Sequence, residues 1–327
     1  MDIFDMPPAT PHTVSEGLHW AFRSSRVLHV ATELDLFTRL TDGPLSAAEI
    51  AAVCGADAAE TEKLVICCCA LGLLRKTDGR YSNTQAAEDY LVRGAPLYQG
   101  NMIAHAEHLW QFWSGLGDVV RTGDRGASGP PGGGDGHRDF ILAMHNTSIT
   151  GPARMVAENV DLSGARRLLD IGGGPGTFSI ALCQKHAGLT ADLFDRPATL
   201  EVAREVIERF GMADRIRLVE GDWDQEDYGD GYDAALFSNV LHGAASGAPE
   251  KLRKGFEALN EGGQVVVHDF LLNNQKTGPL GAALFGMMVG AYSTDEMCAV
   301  VEAAGFVEVR LVAVNERGAG VVVGRKP

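Results

Sequence analysis

Two aspartates and a run of glycines carry the most readable chemistry of this chain. Leu168 and Leu169 lead into Asp170-Ile171-Gly172-Gly173-Gly174-Pro175-Gly176-Thr177, and Asp195 follows some way beyond. Apolar residues closing on an aspartate predict a buried strand. The glycines predict a sharp turn whose backbone lies close to a ligand, because a residue without Cβ reaches left-handed φ and leaves room. Helical spacing resumes over Thr177 to Leu182. A second strand, Thr190 to Asp195, ends in a carboxylate able to accept hydrogen bonds from both hydroxyls of a ribose. This is the start of a nucleoside-binding βαβ unit; a glycine-rich turn in some other α/β protein is the competing reading. The sixth position of the glycine pattern is Thr177, so the spacing is not the dinucleotide one, and no Gly-Lys-Ser/Thr phosphate loop is present.

The elements that must hold these residues alternate. After Asp195 come a helix over 198–210, strand Ile216 to Val219 leading to Gly221-Asp222-Trp223, and strand Ala234 to Phe237 leading to Ser238 and His242. A helix from Pro249 to Leu259 and strand Gln264 to Asp269 follow. Helix Thr294 to Ala304 and strands Val307 to Val314 and Gly320 to Val323 close the chain. Such alternation predicts an α/β fold with a doubly wound, mainly parallel sheet, its ligands at the carboxyl ends of the strands. Every candidate above lies at such an end.

The front of the chain has a different pattern. Helical spacing from Thr13 breaks at Gly43-Pro44, Ser46-Ala47-Ala48-Glu49 is a capping box, and a helix over Ala58 to Leu71 precedes a hairpin turning at Asp78-Gly79. Helices followed by a hairpin make a winged-helix module. Its groove-facing helix starts with Asp57, Glu60 and Glu62 against Lys63, which phosphates would repel, so packing on a twin is expected rather than DNA binding. Residues 85–125 look helical, with His105 and His108 on one face and the stripe Leu109, Phe112 and Trp113. Gly126 to Gly136 reads as a low-complexity loop, after which Phe140, Ile141 and Met144 restore helical spacing. The domain boundary is placed between residues 155 and 156.

The chain of 327 residues is long enough for two domains, and its 45% hydrophobic content supports sizeable cores. A net charge of −15 argues against nucleic acid and anionic membranes as partners. No apolar run reaches the roughly 18 residues of a membrane span. The N-terminal residues, with Asp2 and Asp5, lack signal-peptide features, so a cytoplasmic protein is expected. The six cysteines include no Cys-x-x-Cys, and three are consecutive (Cys67, Cys68, Cys69). They read as small buried apolar residues of a reducing compartment, with no metal site.

The Asp170 to Gly176 motif resembles that of the class I S-adenosylmethionine methyltransferases. With the winged-helix front, the Gly221-Asp222-Trp223 segment and the Val240-Leu241-His242 segment, the chain is similar to the dimeric small-molecule O-methyltransferases from about Val14 to Gly324. That group includes plant caffeate and flavonoid enzymes, acetylserotonin O-methyltransferase and bacterial polyketide-tailoring relatives. The resemblance implies a homodimer paired through the N-terminal domain, a small-molecule acceptor in secondary metabolism, S-adenosylmethionine as methyl donor and S-adenosylhomocysteine as product. It implies Gly172 and Gly174 along the methionine part, Asp195 on the ribose, Asp222 on the adenine amine and Trp223 against the adenine ring. Asp170, Arg196, Gly221 and Ser238 complete that lining. His242 matches the family's general base and Asp269 the acid that orients it; Trp113, Phe140, Met144, Met287 and His105 are candidates for the acceptor pocket.

The chain departs from the family pattern in several places. Ser238 stands where many members carry lysine, and His242 is followed by Gly243-Ala244 instead of Asp-Trp. Ala291 or Tyr292 stands where a second acid is expected, and Lys276 to Gly290 is short. His268 is an additional candidate base. Two other readings remain open: the same fold methylating sulfur, nitrogen or carbon, and a non-enzymatic regulator that binds the cofactor.

Overall fold

The computed structural model describes Val14, residues 17–124 and residues 135–327. Most of the glycine-rich stretch from Gly126, and the prolines at the front, lie outside the described residues. The chain forms two compact units, Met1–Gly126 and Ala127–Pro327.

The first unit holds helices α1 (Phe22–Glu33), α2 (Leu36–Arg39), α3 (Ala47–Cys54) and α4 (Ala58–Ala70), then the hairpin β1 (Leu74–Thr77) and β2 (Arg80–Asn83). Four further helices follow: α5 (Gln85–Tyr90), α6 (Gly100–His108), α7 (Trp110–Ser114) and α8 (Leu116–Thr122). The capping box forms as the spacing requires, with the Ser46 amide donating to Glu49 at 2.7 Å and the Glu49 amide donating to Ser46 Oγ at 3.3 Å. Asp78 and Gly79 both take positive φ, 50° and 79°, in a two-residue turn whose hand matches strand twist. Phe37, Ile50, Val65, Leu74 and Tyr81 close the core. The cysteine expectation needs correction. Consecutive helical residues face different ways, so Cys68 is buried, its thiol pushed up to about 12 by burial, while Cys67 is exposed.

The second unit opens with α9 (Asp135–Ile149) and α10 (Pro152–Asn159), whereas a boundary between residues 155 and 156 would leave α9 in the first part and divide α10. Their apolar faces explain the difference: Ala153, Val156, Ala157 and Val160 are buried in the core of the second unit. His137 is hydrogen-bonded to Thr199, and Arg138 donates to Glu205. Then come β3 (Arg167–Ile171), α11 (Thr177–Lys185), β4 (Thr190–Asp195), α12 (Pro197–Arg209), β5 (Ile216–Glu220) and β6 (Tyr232–Ser238). The unit ends with α13 (Ala248–Ala258), β7 (Leu259–Phe270), α14 (Leu280–Val289), α15 (Thr294–Ala303), β8 (Val307–Val314) and β9 (Ala319–Arg325).

The seven strands are ordered β5-β4-β3-β6-β7-β9-β8, parallel except for β9. Alternation divides them between two cores. Leu168, Leu236 and Val266 belong with α10, α11 and α12, whereas Leu169, Phe237 and Val267 belong with α13 and α15. Strand order reverses between β3 and β6, and open α/β sheets bind their ligands at the carboxyl ends beside such a switch point.

The opposite end of the sheet is closed by charge. Asp192 of β4 accepts from Arg217 at 2.8 and 2.6 Å, from Tyr232 at 2.9 Å and from Arg167 at 3.3 Å. Burial alone would raise its pKa, but the Arg217, Tyr232 and Arg167 donors outweigh that and hold the carboxyl below its usual value. Its stabilisation is therefore complete above a pH of about 4 and is lost as pH falls through the lowered value. Asp192→Asn should cost about 2 kcal/mol at pH 7, since Tyr232 and a partly solvated Arg217 lose a charged acceptor. Chemical denaturation at pH 7 and in acid checks this: the gap between wild type and variant should narrow in acid, and an unchanged gap refutes it.

Candidate active site

The glycine turn sits at the end of β3 and is tied to β4. Gly172 donates its amide to the Phe194 carbonyl at 2.8 Å, and Gly174 donates to Asp195 Oδ2 at 2.9 Å. Gly172 has φ +64°, and a Cβ there would lie 2.8 Å from Val240 and 3.2 Å from the Trp223 ring. Only glycine fits, because two side chains close over that backbone. Beneath the turn, Asp170 is fully buried and accepts the Ser179 hydroxyl at 2.6 Å, while its Oδ1 has no partner among the described residues. Burial pushes its carboxyl up to about 7, against the pull of Ser179, and Asp195 adds to the rise.

Asp195 is nearly buried, and burial raises its pKa although the amides of Gly174 and Arg196 donate to it. The Thr199 hydroxyl is a third donor to this carboxyl, which has about four lone-pair sites in all. Gly221 donates to the Asp195 carbonyl at 3.1 Å, which brings the Gly221-Asp222-Trp223 segment alongside. The Arg196 guanidinium lies 5.1 Å over the Trp223 ring and 3.4 Å from Asp222 Oδ2. Gly172, Gly174, Asp195, Arg196, Gly221, Asp222 and Trp223 thus gather at the carboxyl ends of β3, β4 and β5, with Asp170 buried beneath the turn.

A second group is built by β6, β7 and α14. His242 Nδ1 is 2.9 Å from Asp269 Oδ1, and Asp269 also accepts the amides of Phe270 at 2.8 Å and Leu241 at 3.3 Å. Asp269 is 2% exposed and His242 20%. A buried carboxylate held by two amides fixes one ring nitrogen, and Nε2 is the ring's other polar atom. Phe285 of α14 packs edge-on against His242, centroids 4.9 Å apart, and lies against Phe270 at 4.5 Å. Gly243 has φ +59°, and a Cβ on it would come within 3.1 Å of the Gly290 and Ala291 backbone. Close backbone contact therefore occupies the place where the family pattern has Asp-Trp, and no acid stands at Ala291 or Tyr292.

His268 and Asp269 are sequence neighbours that face opposite sides of the sheet. His268 points toward α11, with its ring 5.0 Å from Phe178, its Nδ1 3.0 Å from Ser238 Oγ, and its pKa pulled down to about 4 by burial. His242, not His268, has the carboxylate partner. Among the acceptor-pocket candidates, Phe140 and Met144 are half-buried on α9, while His105 and Trp113 lie on α6 and α7 of the first unit. Met287 is on α14 two residues past Phe285 and so leaves the helix in another direction. Sequence reasoning missed Phe285, because Leu280 to Val289 is apolar throughout and no periodicity marks one residue. It also missed Asn239, whose positive φ of 55° appears only in the folded chain. Among the described residues no cluster of metal-ligating side chains occurs, and no helix is long and apolar enough to cross a membrane.

Comparison with known proteins identifies the family. The profile of the O-methyltransferase domain matches residues 135–307 and that of the O-methyltransferase dimerisation domain residues 18–93. The chain is 35% identical to the 3-hydroxy-5-methyl-1-naphthoate 3-O-methyltransferase of Streptomyces sahachiroi, over 98% of this chain and 97% of that one. It is 30% identical to the N,N-dimethyltransferase OxyT of Streptomyces rimosus, over 88% of each. The solved structure of PigF with SAH superposes with a TM-score of 0.83 at 26% identity, over 97% of this chain and all of that one. With the domain profile spanning more than half its length, and a relative of this similarity along nearly all of it, the chain belongs to the O-methyltransferase family and carries that family's dimerisation domain.

Proposed function

We propose that this methyltransferase moves the methyl group of S-adenosylmethionine to a hydroxyl of a small aromatic, polyketide-type secondary metabolite, with His242 as general base and Asp269 orienting it. The observation that carries this reading is the 2.9 Å His242–Asp269 contact beside a glycine turn closed by Trp223. The naphthoate acceptor of the Streptomyces sahachiroi relative supports the acceptor class.

The residues present fit the cofactor. Asp195 keeps acceptor capacity for a ribose hydroxyl beside its Gly174, Arg196 and Thr199 donors, Asp222 is an acceptor for the adenine amine, and Trp223 offers an indole face. Gly172 and Gly174 line the methionine part, beside the unpartnered Asp170 oxygen. When bound, the sulfonium supplies an electrophilic methyl group, so the protein has to position the acceptor and remove its proton. With Nδ1–H donating to Asp269, His242 Nε2 carries the lone pair that takes the hydroxyl proton, and Asp269 stabilises the imidazolium that forms. Phe285 and Phe270 supply an apolar wall on which an aromatic acceptor can lie.

The match to the dimerisation domain supports a homodimer formed through the first unit, whose Trp20, Phe22, Ile66 and Leu71 are exposed apolar side chains. The free thiols support a reducing, cytoplasmic setting. One observation favours a second reading: the acceptor side lacks a second acid at Ala291 and Tyr292, and the Streptomyces rimosus relative is named an N,N-dimethyltransferase. An amine acceptor in this same site is that alternative.

Calorimetric titration should show S-adenosylhomocysteine bound by wild type and not by Asp195→Ala, with NADH bound by neither; NADH binding refutes the cofactor assignment. With hydroxynaphthoates as acceptors, His242→Ala should lower kcat by about 10²–10⁴-fold while S-adenosylhomocysteine affinity is kept. A variant that keeps most of its rate would transfer support to the amine reading. Asp269→Asn should lower kcat by about 10²-fold or more, because the amide can leave the imidazole in the wrong tautomer. Equal activity of Asp269→Asn and wild type would remove Asp269 from the mechanism.

A further inference from the structure

Two lysines of α13, Lys251 and Lys254, are buried and lie three residues apart on one side of the helix. A buried ammonium is costly unless its protons find acceptors, so the groups it meets are fixed points of the structure. Neither lysine belongs to the cofactor lining or the base proposed above, yet both reach the loops that carry them.

Lys254 holds the loop after β5. Its Nζ donates to the carbonyls of Trp223 at 3.4 Å, Asp224 at 3.1 Å and Glu226 at 2.9 Å, which uses all three protons. The Tyr228 hydroxyl donates to the same Trp223 carbonyl at 2.9 Å. The Trp223 ring closes over Gly172, so this clamp reaches the glycine turn through one residue.

Lys251 is shared between two loops. Its Nζ is 3.0 Å from Asp224 Oδ1 and donates also to the Ser246 carbonyl. The Asp224 amide donates to Asp222 Oδ1 at 2.9 Å. Ser246 ends the short turn Ala244–Ser246, which stands between Gly243 and Gly247, both at left-handed φ. Glycine at each end permits many backbone paths, so an outside tether decides where such a turn stands. One ammonium thus joins the segment of Asp222 and Trp223 to the turn that follows His242.

We infer that Lys251 is a positioning residue for the methyl transfer: it yokes the loop of Trp223 to the turn after His242, so that occupation of the cofactor side orders the base side. This rests on the cofactor assignment above. A ligand that orders the first loop orders the second only through a contact that holds both. Lys254 touches the cofactor loop alone. Its removal therefore loosens cofactor binding, whereas removal of Lys251 uncouples the two loops.

Hydrogen exchange read by mass spectrometry, with and without saturating S-adenosylhomocysteine, tests this on the full chain. In wild type the ligand should slow exchange about threefold or more both in residues 222–228 and in the turn 243–247. In Lys251→Met the protection of 222–228 should remain and that of 243–247 should be lost. Asp224→Ala should do the same, and its exposed side chain makes it the safer variant should Lys251→Met fold poorly. By calorimetry, Lys254→Met should weaken S-adenosylhomocysteine about tenfold, and Lys251→Met less than about threefold. Protection of 243–247 that persists in both uncoupling variants means that the turn is fixed without the lysine, and the inference fails. Protection confined to 222–228 in wild type sinks it as well. Equal loss of affinity in the two lysine variants would make both residues supports of the fold only. Wild type that does not bind S-adenosylhomocysteine overturns the cofactor assignment itself, and the inference with it.

Discussion

The 2.9 Å hydrogen bond from the Gly174 amide to the Asp195 carboxylate joins the carboxyl ends of β3 and β4 at the glycine turn. It spans from the turn after β3 to the last residue of β4, so the glycine backbone and the acid hold one geometry. Around it, Gly172 is fixed by the Phe194 carbonyl and covered by Trp223 and Val240, while Gly221 is fixed by the Asp195 carbonyl. Trp223 belongs to the segment after β5 and Val240 to the segment after β6. The turn is therefore the point at which four strand ends converge.

The other half of the site depends on the pleat. Because successive strand residues face opposite ways, β7 can deliver two different polar groups from adjacent positions. Asp269 goes to the layer of α13, α14 and α15, where it holds His242. His268 goes to the α11 layer, where it bonds Ser238. A one-residue slip of β7 would exchange the two and leave His242 facing an imidazole. The antiparallel pairing to β9, in register from Gln264↔Arg325 to Phe270↔Ala319, holds β7 in place.

One departure from the family pattern lies beside His242. Glycine follows His242 where the pattern has Asp, and a Cβ on it would come within 3.1 Å of the Gly290 and Ala291 backbone, while Phe285 of α14 packs against the imidazole. His242 has one carboxylate partner, Asp269, and an aromatic neighbour, Phe285.

Local signals were enough for much of this protein. The capping box, the Asp78-Gly79 hairpin, the strand–glycine–helix succession and the acid at the end of β4 are decided by residues close in sequence, where φ preference, period and hydrogen-bonding range act within a few positions. The alternation of strands and helices likewise implied a mainly parallel sheet with its ligands at the carboxyl ends. What the sequence left open required distant contacts. The membership of α9 and α10 in the second unit follows from which core their apolar faces meet. The separation of His268 from Asp269 follows from strand register, and the choice of Phe285 from an apolar helix without periodicity follows from the direction in which that helix presents each side chain. The Asp224–Lys251–Ser246 link joins two loops through a helix. Periodicity records that a residue is turned inward; only packing determines what it meets there.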